Sequence, residues 1–397
     1  MSRLHTYSSA DLLALTTCRE GETKLGQEFA TVSTLEQLTT SAAKFVVVGL
    51  AEDVGVLANG GKPGAANTWS EVLPVLCNIQ STAILSGTDV LLLGCLSFEE
   101  EMKQAKGADT TQLRTLVNSI DEAVLKLAEA IFAAGKVPIF IGGGHNNAYP
   151  ILKAFSQINN QLVNTINIDA HADFRALEGR HSGNGFSYAF NEGFLNKYAV
   201  MGLHENYNSQ YLRNELSSHS DRIQAIYFED FLIGKTTPEK AFENVLVFTR
   251  GLCGLEVDLD SIAGISASAA SPTGFTAEQV RSFIYQTKGT KLGYLHICEG
   301  IANSENLVAK LIGYLVSDFV RDKDAALSAV QFAEIAAYAK SKGTTMWGML
   351  KDLYLQHGVF QEELVSITLK GIDGVAQIQS MMSRLRTTPP QTLGGVA

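Results

Sequence analysis

Four short stretches carry residues whose types and spacing suit metal-assisted chemistry. In "NTINIDAHADFR" (164–175), Asp169, His171 and Asp173 alternate behind the apolar Ile166 and Ile168. If the run is a strand, side chains two apart share a face, so three ionisable groups crowd one side. Buried and unpaired, such groups cost several kcal/mol. "IGGGHNN" adds His145, "LEVDLDSI" adds Asp258 and Asp260, and "HICEG" adds Glu299. Carboxylates bridge two cations and an imidazole caps each. Four carboxylates carry about four negative charges, which two divalent ions neutralise. An oxygen-rich set with imidazole and no thiolate favours Mn²⁺ over structural Zn²⁺. Two such ions roughly 3.5–4 Å apart share a water, lower its pKa and hold it as a nucleophile.

Positioning these groups requires a rigid frame. Eight β-branched-rich apolar runs, at 44–50, 89–96, 136–144, 162–171, 198–204, 223–230, 254–262 and 291–300, are separated by segments with helical spacing such as 110–135 and 276–287. Most runs are apolar on both faces, as strands covered on both sides by helices are. The alternation implies an α/β fold with a mostly parallel sheet of about eight strands sandwiched between helices. The candidate residues fall at the carboxyl ends of four separate runs, the edge where open parallel sheets bind ligands. Residues 44–320 are expected to form the catalytic domain, with a polar, partly helical extension at 1–43 and a helical one at 321–397, both packed on the same domain. Helices are expected through "LSAVQFAEIAAYAK" and "QEELVSITLKGI", and disorder in "TTPPQTLGGVA".

A formal charge of −10 argues against nucleic acid or an anionic membrane as partner and leaves a small-molecule substrate. The five cysteines form no CxxC pair, and the start has neither a cationic leader nor an apolar core. Reduced thiols in a cytoplasmic protein are expected. The glycines at 142–144 complete neither GxGxxG nor GxxxxGK[ST], so they read as a sharp turn close to the ions. "ANGGKPGA" (58–65) reads as a substrate-side loop turning at Lys62–Pro63–Gly64.

"GGGH", "DAHAD" and "DLD", in this order, resemble the metal signatures of the ureohydrolase family of arginases, agmatinases and formimidoylglutamases. The resemblance spans roughly residues 44–315. It implies a three-layer α/β/α, arginase-like fold, a homo-oligomer (trimer or hexamer) and a pair of Mn²⁺ ions, whose place other divalent ions can take. By that match His145, Asp169, Asp173 and Asp258 hold one ion; Asp169, His171, Asp258 and Asp260 hold the other.

"GLAEDVGVLANGGKPGA" (49–65) and "RHSGNGFSYAF" (180–190) are similar to formimidoylglutamases, which convert N-formimidoyl-L-glutamate and water to L-glutamate and formamide in histidine degradation, by attack of a metal-bridging hydroxide. Arginases share "SGN" but place a proton-shuttling histidine where this chain has Phe186. The alternatives are hydrolysis of arginine, agmatine or a guanidino acid with release of urea, or a non-catalytic metal-binding member of the fold. The resemblance casts Asp173 as the proton carrier and Glu299 as the acid paired with the substrate's N–C–N group; His181 is a second candidate for proton transfer. Arg175, two residues beyond Asp173, is expected to clamp a substrate carboxylate, with Arg180, Lys62 and Asn184 as further binding candidates. Glu256 and His296 are expected behind the site, as supporting or core groups.

Overall fold

The apolar runs become strands of one sheet in the computed structural model, which describes residues 3–321 and 324–357. The strands are β1 (Leu4–His5), β2 (Phe45–Ala51), β3 (Val90–Ser97), β4 (Val137–Ile141), β5 (Val163–Ile168), β6 (Leu195–Leu203), β7 (Ile223–Tyr227), β8 (Cys253–Asp258) and β9 (Leu292–Cys298). Their order is β1-β3-β2-β4-β9-β8-β5-β6-β7, with β1 antiparallel to β3 and the other pairs parallel. All eight expected strands form. The ninth, β1, is a correction: two residues are too short for any hydrophobic period to show. Leu12, Leu25 and Phe29 from the same N-terminal region are buried in the core, so 1–43 is more than a polar extension.

Helices cover both faces. Helix Thr110–Ala133 starts at a capping box between Asp109 and Gln112 and buries Leu113, Val117, Ile120, Val124, Leu127 and Ile131, three or four apart, as one stripe. Gly135, with φ +71°, turns the chain out of this helix towards β4. On the other face, helices Thr68–Cys77, Ala277–Gln286 and Leu307–Val320 pack on Val47, Ile139, Leu255 and Ile297.

Five strands stop clearly earlier than their sequences suggest, β4 at Ile141 and β7 at Tyr227 among them. β5 ends at Ile168, β8 at Asp258 and β9 at Cys298. Strand alternation therefore does not gather Asp169, His171 and Asp173; the irregular stretch after β5 does. The loop at 58–65 turns at Asn59–Gly60, not at Lys62–Pro63–Gly64.

The chain divides into two compact units, Met1–Cys18 with Glu22–Leu327, and Arg19–Gly21 with Ser328–Ala397. The described part of the second holds most of helix Asp324–Ser341, closed by a turn at Gly343 (φ +70°), and helix Met346–His357. "QEELVSITLKGI" and "TTPPQTLGGVA" lie outside the described residues. Among the described residues no helix is long and apolar enough to cross a membrane.

Gly94 shows how tightly β1 is docked. Its φ is +142°, and a Cβ there would lie 2.0 Å from the His5 carbonyl oxygen. Gly94→Ala should cost about 1–3 kcal/mol and release β1, read by denaturant melts and by faster amide exchange at Leu4. Gly107→Ala, also at positive φ but with nothing within 4 Å, should leave β1 protected.

Candidate metal centre

The order of the sheet places β4, β9, β8 and β5 side by side. The four chemistry-bearing stretches leave these strands at their carboxyl ends. After β4, Gly142 and Gly143 take φ of +92° and +71°, and His145 begins a 3₁₀ turn. Asp260 likewise sits in the 3₁₀ turn Leu259–Ser261. Asp173 and Glu299 have φ of +44° and +61°, a left-handed backbone that non-glycine residues adopt with strain.

His145 Nδ1 lies 2.8 Å from Asp173 Oδ2, 3.2 Å from Asp258 Oδ2 and 3.3 Å from Asp169 Oδ2. One ligand atom from each of these four residues fits within 4.8 Å of the others. Asp169 turns its second oxygen, Oδ1, towards His171 Nδ1 at 3.6 Å, and Asp260 Oδ2 is 3.8 Å from the same nitrogen. One carboxylate thus faces both imidazoles. Backbone amides hold the acids: His171 N donates to Asp169 Oδ1, Asp260 N to Asp258 Oδ1, and Ala269 N to Asp260 Oδ1.

Electrostatics define what the cluster lacks. Burial pushes the Asp258 carboxyl well above its ordinary range, reinforced by Asp260 and Asp169; burial also raises Asp173, with Asp169 adding to it, and moves Asp260 to about 6. Glu299 is pushed up to about 8 by burial and by the charge of Asp260. The imidazoles are raised as well, against the effect of their own burial. Hydrogen bonding to Asp169 and the surrounding acids take His171 to about 10, and Cys298 and the acids hold His145 well above its usual value. The protein alone satisfies this cluster by retaining protons. Moreover, His145 Nδ1 is close to three carboxylate oxygens yet makes a hydrogen bond to none. A buried imidazole lone pair among four acids suits divalent cations.

The cluster floors a cleft of about 180 Å³ whose walls include Asn59, Arg175, Tyr207, Ser268 and Glu299. Three larger grooves carry no comparable set of acids and imidazoles. Arg175 is half-exposed there, with Nη1 donating to Asn59 Oδ1 (2.8 Å) and Nη2 3.0 Å from Glu178 Oε1. Glu299 accepts from His145 N (2.7 Å) through Oε1, and its buried Oε2 has no hydrogen-bond partner.

Four expected site residues do not line this cleft. Arg180 is buried, paired with Asp121 at 2.9 Å and stacked against Tyr149 and Tyr188. The Asn184 amide oxygen accepts from Arg180 and from His181 N, and its amino group donates to Ala176 O and Gly179 O. His181 accepts from Gly183 N at Nδ1 and faces Glu178 at Nε2. Lys62 is exposed on its loop. A partner distant in sequence, Asp121, claims Arg180, whereas Asn184 and His181 are held by their own loop.

Sequence reasoning passed over several supports. Glu52, at the end of β2, accepts from Gly144 N, Asn147 Nδ2 and Gly55 N, and so braces the turn carrying His145. It was visible as an acid ending an apolar run. Tyr207 stacks on His171 with ring centroids 5.3 Å apart, and Asn208 pins Ala170 and Ala172; nothing local marks either.

A model of the arginase family matches residues 44–301. A formimidoylglutamase of Hahella chejuensis is 28% identical over 247 residues, covering 58% of this chain and 69% of that one. The crystal structure of Trypanosoma cruzi formiminoglutamase with Mn²⁺ superposes with a TM-score of 0.62, covering 76% of this chain and 98% of that one; at 18% identity this is a likeness of fold. A separate likeness is short: a phosphoglucomutase of Staphylococcus aureus is 36% identical over 84 residues, 21% of this chain and 15% of the mutase.

His181 provides a pH test of its structural setting. Burial, with Arg175 and Arg114 nearby, lowers its pKa to about 4. The fold favours the neutral ring, so this contribution is complete above about pH 6.5, the unfolded value, and is lost as pH falls towards 4. In metal-free protein, His181→Gln should flatten the decline in stability across that window relative to wild type, measured by urea melts at stepped pH.

Proposed function

The chain belongs to the arginase family, and on that premise we propose that it hydrolyses N-formimidoyl-L-glutamate to L-glutamate and formamide at a pair of Mn²⁺ ions. The observation that carries this reading is the Asp169 carboxylate, which faces His145 with one oxygen and His171 with the other. His145, Asp169, Asp173 and Asp258 would hold one ion, and Asp169, His171, Asp258 and Asp260 the other. The ions, when bound, make a water nucleophilic at neutral pH and polarise the substrate.

The chain's own residues do the rest. Asp173 sits beside His145 and lines the cleft, so its carboxylate takes a proton from the attacking water and returns one to the departing amine. Glu299 offers its unpartnered Oε2 to the N–H groups of the amidine. Arg175 faces the cleft with its guanidinium braced by Asn59 and Glu178, placed for a substrate carboxylate. A cation without a carboxylate, such as agmatine, gains nothing from it. Arg180, Asn184 and His181 build the loop that carries Ser182 and Gly183 to the cleft wall.

We assign no mutase activity to this chain on a likeness that corresponds to 15% of a mutase.

With Mn²⁺ added, a panel of formimidoylglutamate, arginine and agmatine should yield formamide from the first and no urea from the others; urea without formamide would overturn the substrate assignment. Asp258→Ala should lose both bound Mn²⁺ and turnover, read by metal analysis and product assay. Arg175→Ala should raise KM about ten- to a hundredfold, the loss of a charge-assisted hydrogen bond, with a smaller effect on kcat. A chain ending at Leu327 should retain Mn²⁺ content and turnover; loss of either would tie the terminal segment to the site.

A further inference from the structure

Beneath the candidate centre, one row of side chains crosses the sheet: Phe140 on β4, His296 on β9, Glu256 on β8 and Asn167 on β5 are mutual partners in register. Glu256, Asn167 and His296 are fully buried. Glu256 is the acid of the row and collects donors. Tyr294 Oη donates to Oε1 at 2.7 Å, and His296 Nδ1 lies 2.5 Å from Oε2. His145 Nε2 lies 3.6 Å from the same Oε2 and has no hydrogen-bond partner of its own. His145 thus presents Nδ1 to Asp169, Asp173 and Asp258 and turns Nε2 towards Glu256. Glu256 is a separate acid from the six candidate ligands.

We infer that Glu256 is a positioning residue for His145. Its carboxylate, fixed by Tyr294 and His296, attracts the His145 proton to Nε2 and so leaves Nδ1 as the lone pair available to a cation. An imidazole whose far nitrogen faces a carboxylate is held in one tautomer and one orientation. The choice matters because a proton on Nδ1 would fill the space among three acids that the cation takes. The inference rests on the assignment of His145 to one ion of the pair, and it separates the two ions. Glu256 acts on the ion that includes His145, whose Nε2 it faces.

Glu256→Gln tests this with shape kept and charge removed. Metal-free wild type and variant are titrated with Mn²⁺, followed by electron paramagnetic resonance and calorimetry, and their melting is compared. The expected result is a ten- to hundredfold loss in affinity for one of the two ions, with the other unchanged and cooperative melting retained in the metal-free variant. Equal affinity for both ions in variant and wild type would overturn the inference, as would equal weakening of both. Wild-type protein that binds no Mn²⁺ would instead overturn the two-ion reading itself. If Glu256→Gln does not fold, Tyr294→Phe carries the test, because it frees one oxygen of the carboxylate and leaves its charge. A several-fold loss confined to one ion supports the role; no change in either ion overturns it.

Discussion

Crowding of buried acids is the constraint from which the rest of the molecule follows. Asp169, Asp258, Asp260 and Glu299 are almost wholly withdrawn from water, at distances where like charges repel strongly in a medium of low polarisability. No arrangement of those side chains alone relieves this. The protein tolerates it because each acid is held by a backbone amide and because two imidazoles stand among them. The demand for positive charge is therefore built into the covalent sequence, and the surrounding structure keeps it from being met by collapse or by solvent.

Rigidity below the rim serves the same end. The acids emerge from strands whose opposite face is packed with Ile166, Ile168, Leu255, Val257, Leu295 and Ile297. The face under the centre is different: Thr165, Asn167, Glu256, Tyr294 and His296 interrupt it, all buried. Asn167 donates to Asp169 Oδ2 and to Tyr198 Oη, and Tyr198 donates to the carbonyl of Ala172. A buried polar layer of this kind is tolerable only when nearly every member has partners. It fixes the position of Asp169 from below while His171 N fixes it from above.

Much of the fold was legible because fully buried strands leave long apolar runs, and the polar residues that end those runs mark the rim without any structure. Other features were hidden for identifiable reasons. β1 is too short to carry a pattern. The Asp169–Asp173 stretch reads as alternation because its letters alternate, yet the backbone leaves the strand at Ile168 and turns left-handed at Asp173. Local sequence does not state φ. Arg180 looked available as a cation near a glycine-rich loop, but Asp121, on a helix that precedes it by some sixty residues, takes its guanidinium. Long-range pairing of this sort is decided by tertiary packing. Arg175 differs because its partners, Asn59 and Glu178, leave it at the cleft.

The position of β9 bears on how the molecule comes into being. β1 to β4 form one half of the sheet and β5 to β8 the other, and among the described residues only β9, the last strand there, touches both β4 and β8. During synthesis the two halves have no edge to share until residues beyond Cys298 have left the ribosome. His145, on one half, stays apart from Asp169, Asp173 and Asp258, on the other, until then, and the newly made halves each expose an unpaired central strand while they wait.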